Sequence, residues 1–491
     1  MSPLFLLIPI LLPILGGLSI LAFKFPGKDD RKRNIYAETT VCLTSVTVFL
    51  CFFLVRRDAV EIYSFTRNFS IDFKIDGPSM LFAGMVSVMW PLVMIYAFDY
   101  MRETARKNMF FAFYVMTYGV TLGVAFASNM TTLYVFYEML SLVTVPLVFY
   151  YQDHESMYAS RKYAGYTIGG AALALFPVIM TTVYGDSGNF IYGGSLGDVA
   201  GIPIMEAAFL FGFFGFGVKA AVFPLQGWLP TASAAPTPVT ALLHAVAVVN
   251  SGVFAVIRLT YYAYGADMLR GTLVSRIALF TAIFTLVYGA AMAIKERHFK
   301  RRLAYSTISN LSYMLFGVML LSPLGMQAGL MHMLFHGIIK MSLFLCAGAF
   351  LHVTGKNYVF EINGVGRRMP WTFGFYTLAA LSLIGIPLFC GFISKWNLIM
   401  AGLSHGSRGG VIGAAALILA AFLCAVYTLS VSVRAFFPQK GTDRYQDLPG
   451  RKEASWMMLG PIAFFGVLNI LFGIWSGPIV RFLEQISLGS I

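Results

Sequence analysis

Seven ionisable side chains stand inside apolar stretches of this chain, where an unpaired charge is hard to place. Glu138 lies in TLYVFYEMLSLVTVPLVFY, with nothing basic within a helical turn. Lys219 follows a run of Gly and Phe in FGFFGFGVKAAVFPLQGWLP. His332, His336 and Lys340 occupy LMHMLFHGIIKMSLF at i, i+4 and i+8. Those offsets share one helical face and cover about 12 Å at 1.5 Å per residue. Lys395 lies in GIPLFCGFISKWNLI, and His244 in ALLHAVAVVNSGVFAVIR. Such a charge at mid-membrane costs about 2.5–3.5 kcal/mol on insertion scales, so each position asks for a reason.

The chemistry these residue types share is proton transfer. His titrates nearest physiological pH, and a buried amine next to a carboxylate exchanges protons as a pair. Glu138 and Lys219 therefore read either as a switchable pair or as a static ion pair joining two helices. The His332–His336–Lys340 row reads as a proton wire along the membrane normal. The same i, i+4 His pair could bind Zn, but no acidic or Cys third ligand lies nearby, so no metal is expected. Asn250 sits six residues from His244, on another face, and cannot titrate. Ser306 and Ser309, in RLAYSTISNLSYML, could hold ordered water with Asn250 or could simply bond helix to helix.

Residues so spaced need long helices to hold them, and the composition supplies those. Of 491 residues, 58% are apolar and 12% charged, against about 25% charged in soluble domains. That balance excludes soluble, disordered and disulfide-stapled classes. The net charge of +13 does not mark a nucleic-acid binder, because the Lys and Arg lie in short clusters between apolar runs. The five Cys (42, 51, 346, 390, 424) form no CxxC or Cys/His pattern. No quinone, flavin, haem or iron–sulfur signature appears, so no cofactor is expected.

Hydropathy and length predict an all-α polytopic membrane protein with about fourteen spans. They lie near 3–23, 35–55, 77–98, 109–128, 130–150, 166–185, 205–226, 239–257, 272–294, 302–322, 325–353, 371–403, 409–433 and 456–480. The first run lacks a basic leader and is long enough to span, so it reads as a helix rather than a cleaved signal. Pro224 and Pro387 interrupt the seventh and twelfth spans, freeing backbone carbonyls near Lys219 and Lys395. Paired breaks of this kind are the sequence sign of an inverted-repeat transporter. Connections after odd-numbered spans carry 23 Lys and Arg, those after even-numbered spans and the tail 8. The odd connections are thus expected to face the cytoplasm, with both termini outside. The chain is expected to form one transmembrane domain over 1–491.

Four stretches together resemble a known family: YEMLS with Glu138; GVKAAVFPLQGWLPTASAAPTPVTALL with Lys219; RLAYSTISNLSYMLFG followed by LFHGIIKMSLFLCAGAFLH; and PLFCGFISKWNLI with Lys395. They are similar to the antiporter-like membrane subunits of respiratory complex I, membrane-bound hydrogenases and Mrp-type cation/proton antiporters. The resemblance implies two inverted five-helix repeats, over 109–257 and 272–433, with helices 7 and 12 broken. It implies an input half-channel at Glu138 and Lys219 and a lateral Lys/His chain ending at Lys395. It implies a hetero-oligomer in a bacterial or archaeal cell membrane, with related antiporter-like subunits beside it and redox subunits on the cytoplasmic side. The family usually carries a Lys where this chain has Asn250, so the central relay would pass through His244, water or His336. The chain ends soon after its fourteenth span, so the long lateral helix of the largest complex I subunit of this type is not expected. Three functions follow: a proton- (or Na⁺-) translocating subunit of a redox-driven complex, a subunit of a cation/proton antiporter, or a structural paralogue whose relay has lapsed.

Overall fold

Each of the fourteen predicted spans overlaps helix, the eighth and the twelfth each covering two, in the computed structural model, which describes residues 3–23, 30–55, 58–66, 69–185, 188–197, 199, 202–439, 441–445 and 452–491. Part of the charge asymmetry (Lys24, Lys28, Arg56, Arg57, Arg67, Lys440 and Arg451) lies outside the described residues. In chain order the helices are α1 (Leu7–Ala22), α2 (Asp30–Leu54), α3 (Gly77–Tyr100), α4 (Lys107–Phe126), α5 (Met130–Val148) and α6 (His154–Tyr184). There follow α7 (Pro203–Gly217), α8 (Trp228–Ala232), α9 (Thr237–Ala245), α10 (Val248–Ile257), a π-helical turn Arg258–Tyr264, and α11 (Ala266–Leu269). The second half comprises α12 (Leu273–Lys295), α13 (Phe299–Met319), α14 (Pro323–Thr354), α15 (Pro370–Ile384), α16 (Cys390–Ser404), α17 (Arg408–Phe436), α18 (Trp456–Ile474) and α19 (Gly477–Ser487).

Among the described residues eleven helical segments are long and apolar enough to cross a membrane, one of them the α9–α10 segment taken through the π-turn. The remaining predicted spans coincide with α13, whose first turn is KRR, and with the short helices at the two proline breaks. An antiparallel hairpin, β1 (Val60–Thr66) with β2 (Phe69–Phe73), joins α2 to α3. The spacing analysis did not foresee it.

Local chemistry starts and stops these helices. Asn129, Asp153, Ser322 and Ser407 accept hydrogen bonds from backbone N–H groups three residues on, capping α5, α6, α14 and α17. Gly355, at φ +68°, closes α14 in the left-handed conformation. Burial then sorts the helices. The Thr237–Tyr264 segment is wholly buried, whereas α1, α2, α17 and α18 present broad apolar faces outward. In a membrane protein that outward apolar surface is where lipid or another subunit lies. Helix α14 is also largely buried, packed against α3, α9, α13, α15, α16, α18 and α19. It carries the fully buried His332, His336 and Lys340.

Candidate proton-relay site

At the first proline break, α7 ends at Gly217 and regular helix resumes only at Trp228. Lys219 falls in the unwound stretch and is fully buried. Its ammonium donates to the main-chain oxygen of Tyr137 on α5 and lies 3.4 Å from the centre of that tyrosine's ring. The Tyr137 hydroxyl returns a hydrogen bond to Phe216 O, 3.0 Å away at the end of α7. Glu138 is the next residue along α5. It is half-buried, its Oε1 has no protein partner, and no carboxylate lies within 4 Å of Lys219 among the described residues. The two sequence-predicted groups therefore meet through the backbone of Tyr137 rather than as a direct ion pair.

At the second break, α15 stops at Ile384, and Gly385 takes φ +96°. The carbonyls of Leu383 and Ile384 are left without helical donors, as at any helix C-terminus. Lys395, inside α16, reaches back to them at 2.5 and 3.3 Å. A cation there also meets the negative end of the α15 dipole. A side chain on Gly385 would come within 3.1 Å of the lysine stem, so the glycine serves both the turn and the approach.

A third interruption was not anticipated. The predicted eighth span, 239–257, is two helices, α9 and α10, separated at Val246 and Ala247. The amide of Asn250 donates to Ala245 O at 2.9 Å, capping α9 as Lys395 caps α15. The position where the resemblance implies a Lys thus holds an uncharged donor in the same structural task as Lys395. Ala245 O also faces Gly337 on α14, where a Cβ would come within 3.3 Å.

Between the breaks runs the α14 row. The rings of His332 and His336 are 5.9 Å apart. His332 stacks on Tyr313 at 5.3 Å and is held by Ser394 Oγ (2.9 Å) and Asn310 Oδ1 (3.2 Å). The Asn310 amide nitrogen donates to Ser306 O, so its oxygen faces the imidazole and accepts from Nε2–H. Lys340 donates to Leu303 O at 2.8 Å. The Phe344 ring lies 5.9 Å from that ammonium and 4.9 Å from the His244 ring, and so connects α14 to α9. His244 and His336 are fully buried, and none of their four ring nitrogens has a protein partner. Buried polar atoms in this state are the ones that internal waters usually satisfy.

Ser306 and Ser309 bond helix to helix. Ser306 Oγ accepts from the Tyr427 hydroxyl on α17, and Ser309 Oγ donates to Leu286 O on α12, both at 2.8 Å. Several partners were not readable from one sequence: Tyr137, Ser394, and also Lys300, which donates to Ala235 O at 2.9 Å. Another is a buried bidentate pair, Arg258 with Asp76, both contacts 2.6 Å. Burial alone would raise the Asp76 carboxyl, but the guanidinium and Ser79 hold it below its ordinary value. An acid just before one span and an Arg just after another were the available signal. Among the described residues no group of His, Cys, Asp and Glu is placed to hold a metal.

Comparison with known proteins places this geometry. A family profile described as NADH:quinone oxidoreductase/Mrp antiporter, TM, matches residues 127–423, and one described as NADH-Ubiquinone oxidoreductase (complex I), chain 5 N-terminus, matches 62–111. NADH-quinone oxidoreductase subunit L of Mycobacterium tuberculosis is 31% identical over 483 residues, covering 94% of this chain and 73% of that protein. The fold is similar to a chain of the membrane-bound sulfane sulfur reductase, an archaeal respiratory membrane complex, with TM-score 0.86, 22% identity, and coverage of 99% and 97%. It is also similar to a chain of the Mrp complex from Dietzia sp. DQ12-45-1b, with TM-score 0.84, 19% identity, and coverage of 99% and 96%.

Proposed function

The chain belongs to the NADH:quinone oxidoreductase/Mrp antiporter transmembrane family, and from that premise we propose that it is the proton-translocating membrane subunit of a redox-driven complex. The observation that carries this reading is a row of buried groups, His244, Phe344, Lys340, His336, His332 and Ser394, flanked by the buried amines of Lys219 and Lys395 at the two broken helices, with no charged partner within 4 Å of any of the three amines among the described residues. A purely structural charge would be paired, because burying it alone is costly.

In this reading Glu138 and Lys219 take up the proton, the α14 row passes it laterally, and Lys395 releases it. The repeats span 109–257 and 272–433 in inverted orientation, and both termini lie outside. Redox subunits bind on the cytoplasmic side, related membrane subunits flank the bundle, and the membrane is that of a bacterial or archaeal cell. Asn250 orients water at the centre without itself carrying charge.

The fold likeness to an Mrp complex favours one second reading, a subunit of a cation/proton antiporter driven by Na⁺ in place of electrons. One experiment separates the two. The complex purified with this chain is reconstituted into vesicles, and proton uptake is followed with and without reductant. Uptake that starts with electron transfer supports the proposal. Uptake driven by a Na⁺ gradient in the absence of reductant assigns the second reading, and no uptake under either condition leaves a structural subunit.

A further inference from the structure

The break beside Lys395 opens sideways. A cavity of about 410 Å³ runs from the lysine out between α16 and α17, and Tyr313, Gly385, Phe392, Trp396, Ala421 and Phe422 form much of its wall. Its volume falls within the range of about 300–1,000 Å³ typical of small-molecule sites. Trp396 and Phe422 on the rim are 54% and 69% exposed, and Phe422 lies near the middle of the 29-residue α17. The mouth therefore faces hydrocarbon at mid-depth rather than water.

The wall offers one polar group. The Tyr313 hydroxyl is already committed to Leu417 O at 2.9 Å. Lys395 is 6% exposed and spends two of its three N–H bonds on the Leu383 and Ile384 carbonyls. Its third N–H is left for the cavity it lines, and no carboxylate is within 4 Å among the described residues. An apolar slot with one cationic donor at its base, entered from the bilayer core, selects a narrow class of occupant. The body must be apolar, the head small, and the head must accept a hydrogen bond from an ammonium. A phospholipid headgroup is too large and too polar to reach that depth.

We propose that this cleft binds a single-chain long carboxylic acid dissolved in the membrane, its carboxyl oxygen accepting the third N–H of Lys395 and its chain lying along Phe392, Trp396 and Phe422. Such a ligand holds the lysine in place. Binding itself does not depend on the relay reading, because it needs only the donor and the slot.

The test uses the assembled complex in its native membrane with a photoreactive diazirine palmitic acid and the matching methyl ester. The acid is expected to label the 392–396 and 418–425 segments roughly tenfold more than the ester, the factor one charge-assisted hydrogen bond supplies. Lys395→Gln is expected to erase that preference while leaving ester labelling unchanged. Ala421→Phe, which fills the slot without touching the lysine, is expected to reduce labelling by both probes. Equal labelling by acid and ester in the unaltered complex would show an ordinary lipid tail and overturn the proposal. Labelling unaffected by Ala421→Phe, or absent because a neighbouring subunit occupies the cleft, would overturn it as well.

Discussion

The two proline breaks each hold a buried lysine against main-chain oxygens, yet they are built differently. Lys219 lies within its break, beside the equally buried Ala220, Ala221 and Val222, and donates across to another helix, α5. Lys395 lies in regular helix beyond its break and caps the helix that was broken. The first station therefore depends on how α5 and α7 pack, so a small shift of α5 moves the partner of its amine and the neighbouring Glu138 together. The second is self-contained in α15 and α16, and what varies there is access from the side. The α9–α10 break follows the second pattern with an amide in place of an ammonium. Breaks in one fold can thus divide into those that sense a neighbouring helix and those that merely terminate one.

That contrast can be broken at several points. Lys219→Ala should lower proton translocation in reconstituted vesicles roughly a hundredfold or more, the range for removing a proton-transferring group, with the complex still assembled. Near-normal transport would make the sealed station structural. His336→Ala should slow translocation roughly tenfold and more than His244→Ala does, because His336 adjoins both His332 and Lys340 on one face. Equal wild-type rates in both variants would remove the histidines from the relay and favour a lapsed subunit.

A third variant addresses the self-contained station alone. Gly385→Ala forces a side chain into φ +96° and against the Lys395 stem, at a cost of about 1–2 kcal/mol. It should lower the thermal stability of the complex and disturb labelling in the lateral cleft while leaving the Lys219 region unchanged in hydrogen exchange. The smallest effect concerns His298, the N-cap of α13, whose ring contacts Tyr358 and whose neighbours include Lys300 and Arg301. Burial, aided by those two cations, pulls its pKa down to about 4 from about 6.5. The unfolded chain then binds the proton more readily, so this contribution is complete above about pH 6.5 and is lost as pH falls toward 4. Lower protection factors at the start of α13, with the intrinsic slowing of amide exchange in acid divided out, are expected over that window, together with a loosened Lys300–Ala235 tie. Protection independent of pH there would refute it.

Much of this was legible in the sequence, for identifiable reasons. Apolar runs of about twenty residues announce spans, and Pro224 and Pro387 announce breaks because proline cannot donate. The i, i+4, i+8 spacing placed His332, His336 and Lys340 on one face, and the structure keeps them in one continuous helix. The break at Val246–Ala247 was not legible, since AVAVV contains neither Gly nor Pro; the Asn250 side chain and contact with Gly337 accompany it, and both act through space. Tyr137 and Ser394 were passed over because a single sequence does not say which helical faces meet. The Lys219–Glu138 reading located the right neighbours but not the intervening carbonyl, which every residue possesses and no sequence pattern marks.

Helix α14 runs 32 residues with no proline after its first turn, a rod of about 48 Å at 1.5 Å per residue. Surrounded by seven helices, it works as a ruler: the distances between His332, His336 and Lys340 are fixed by the pitch of the rod. A transfer rate set by a constant distance is itself constant, so on the proposed relay this row would not be the valve. Timing would then be decided at the two ends of the ruler, at the interrupted helices that hold Lys219 and Lys395, and the slow step should respond to the breaks and hardly at all to the rod.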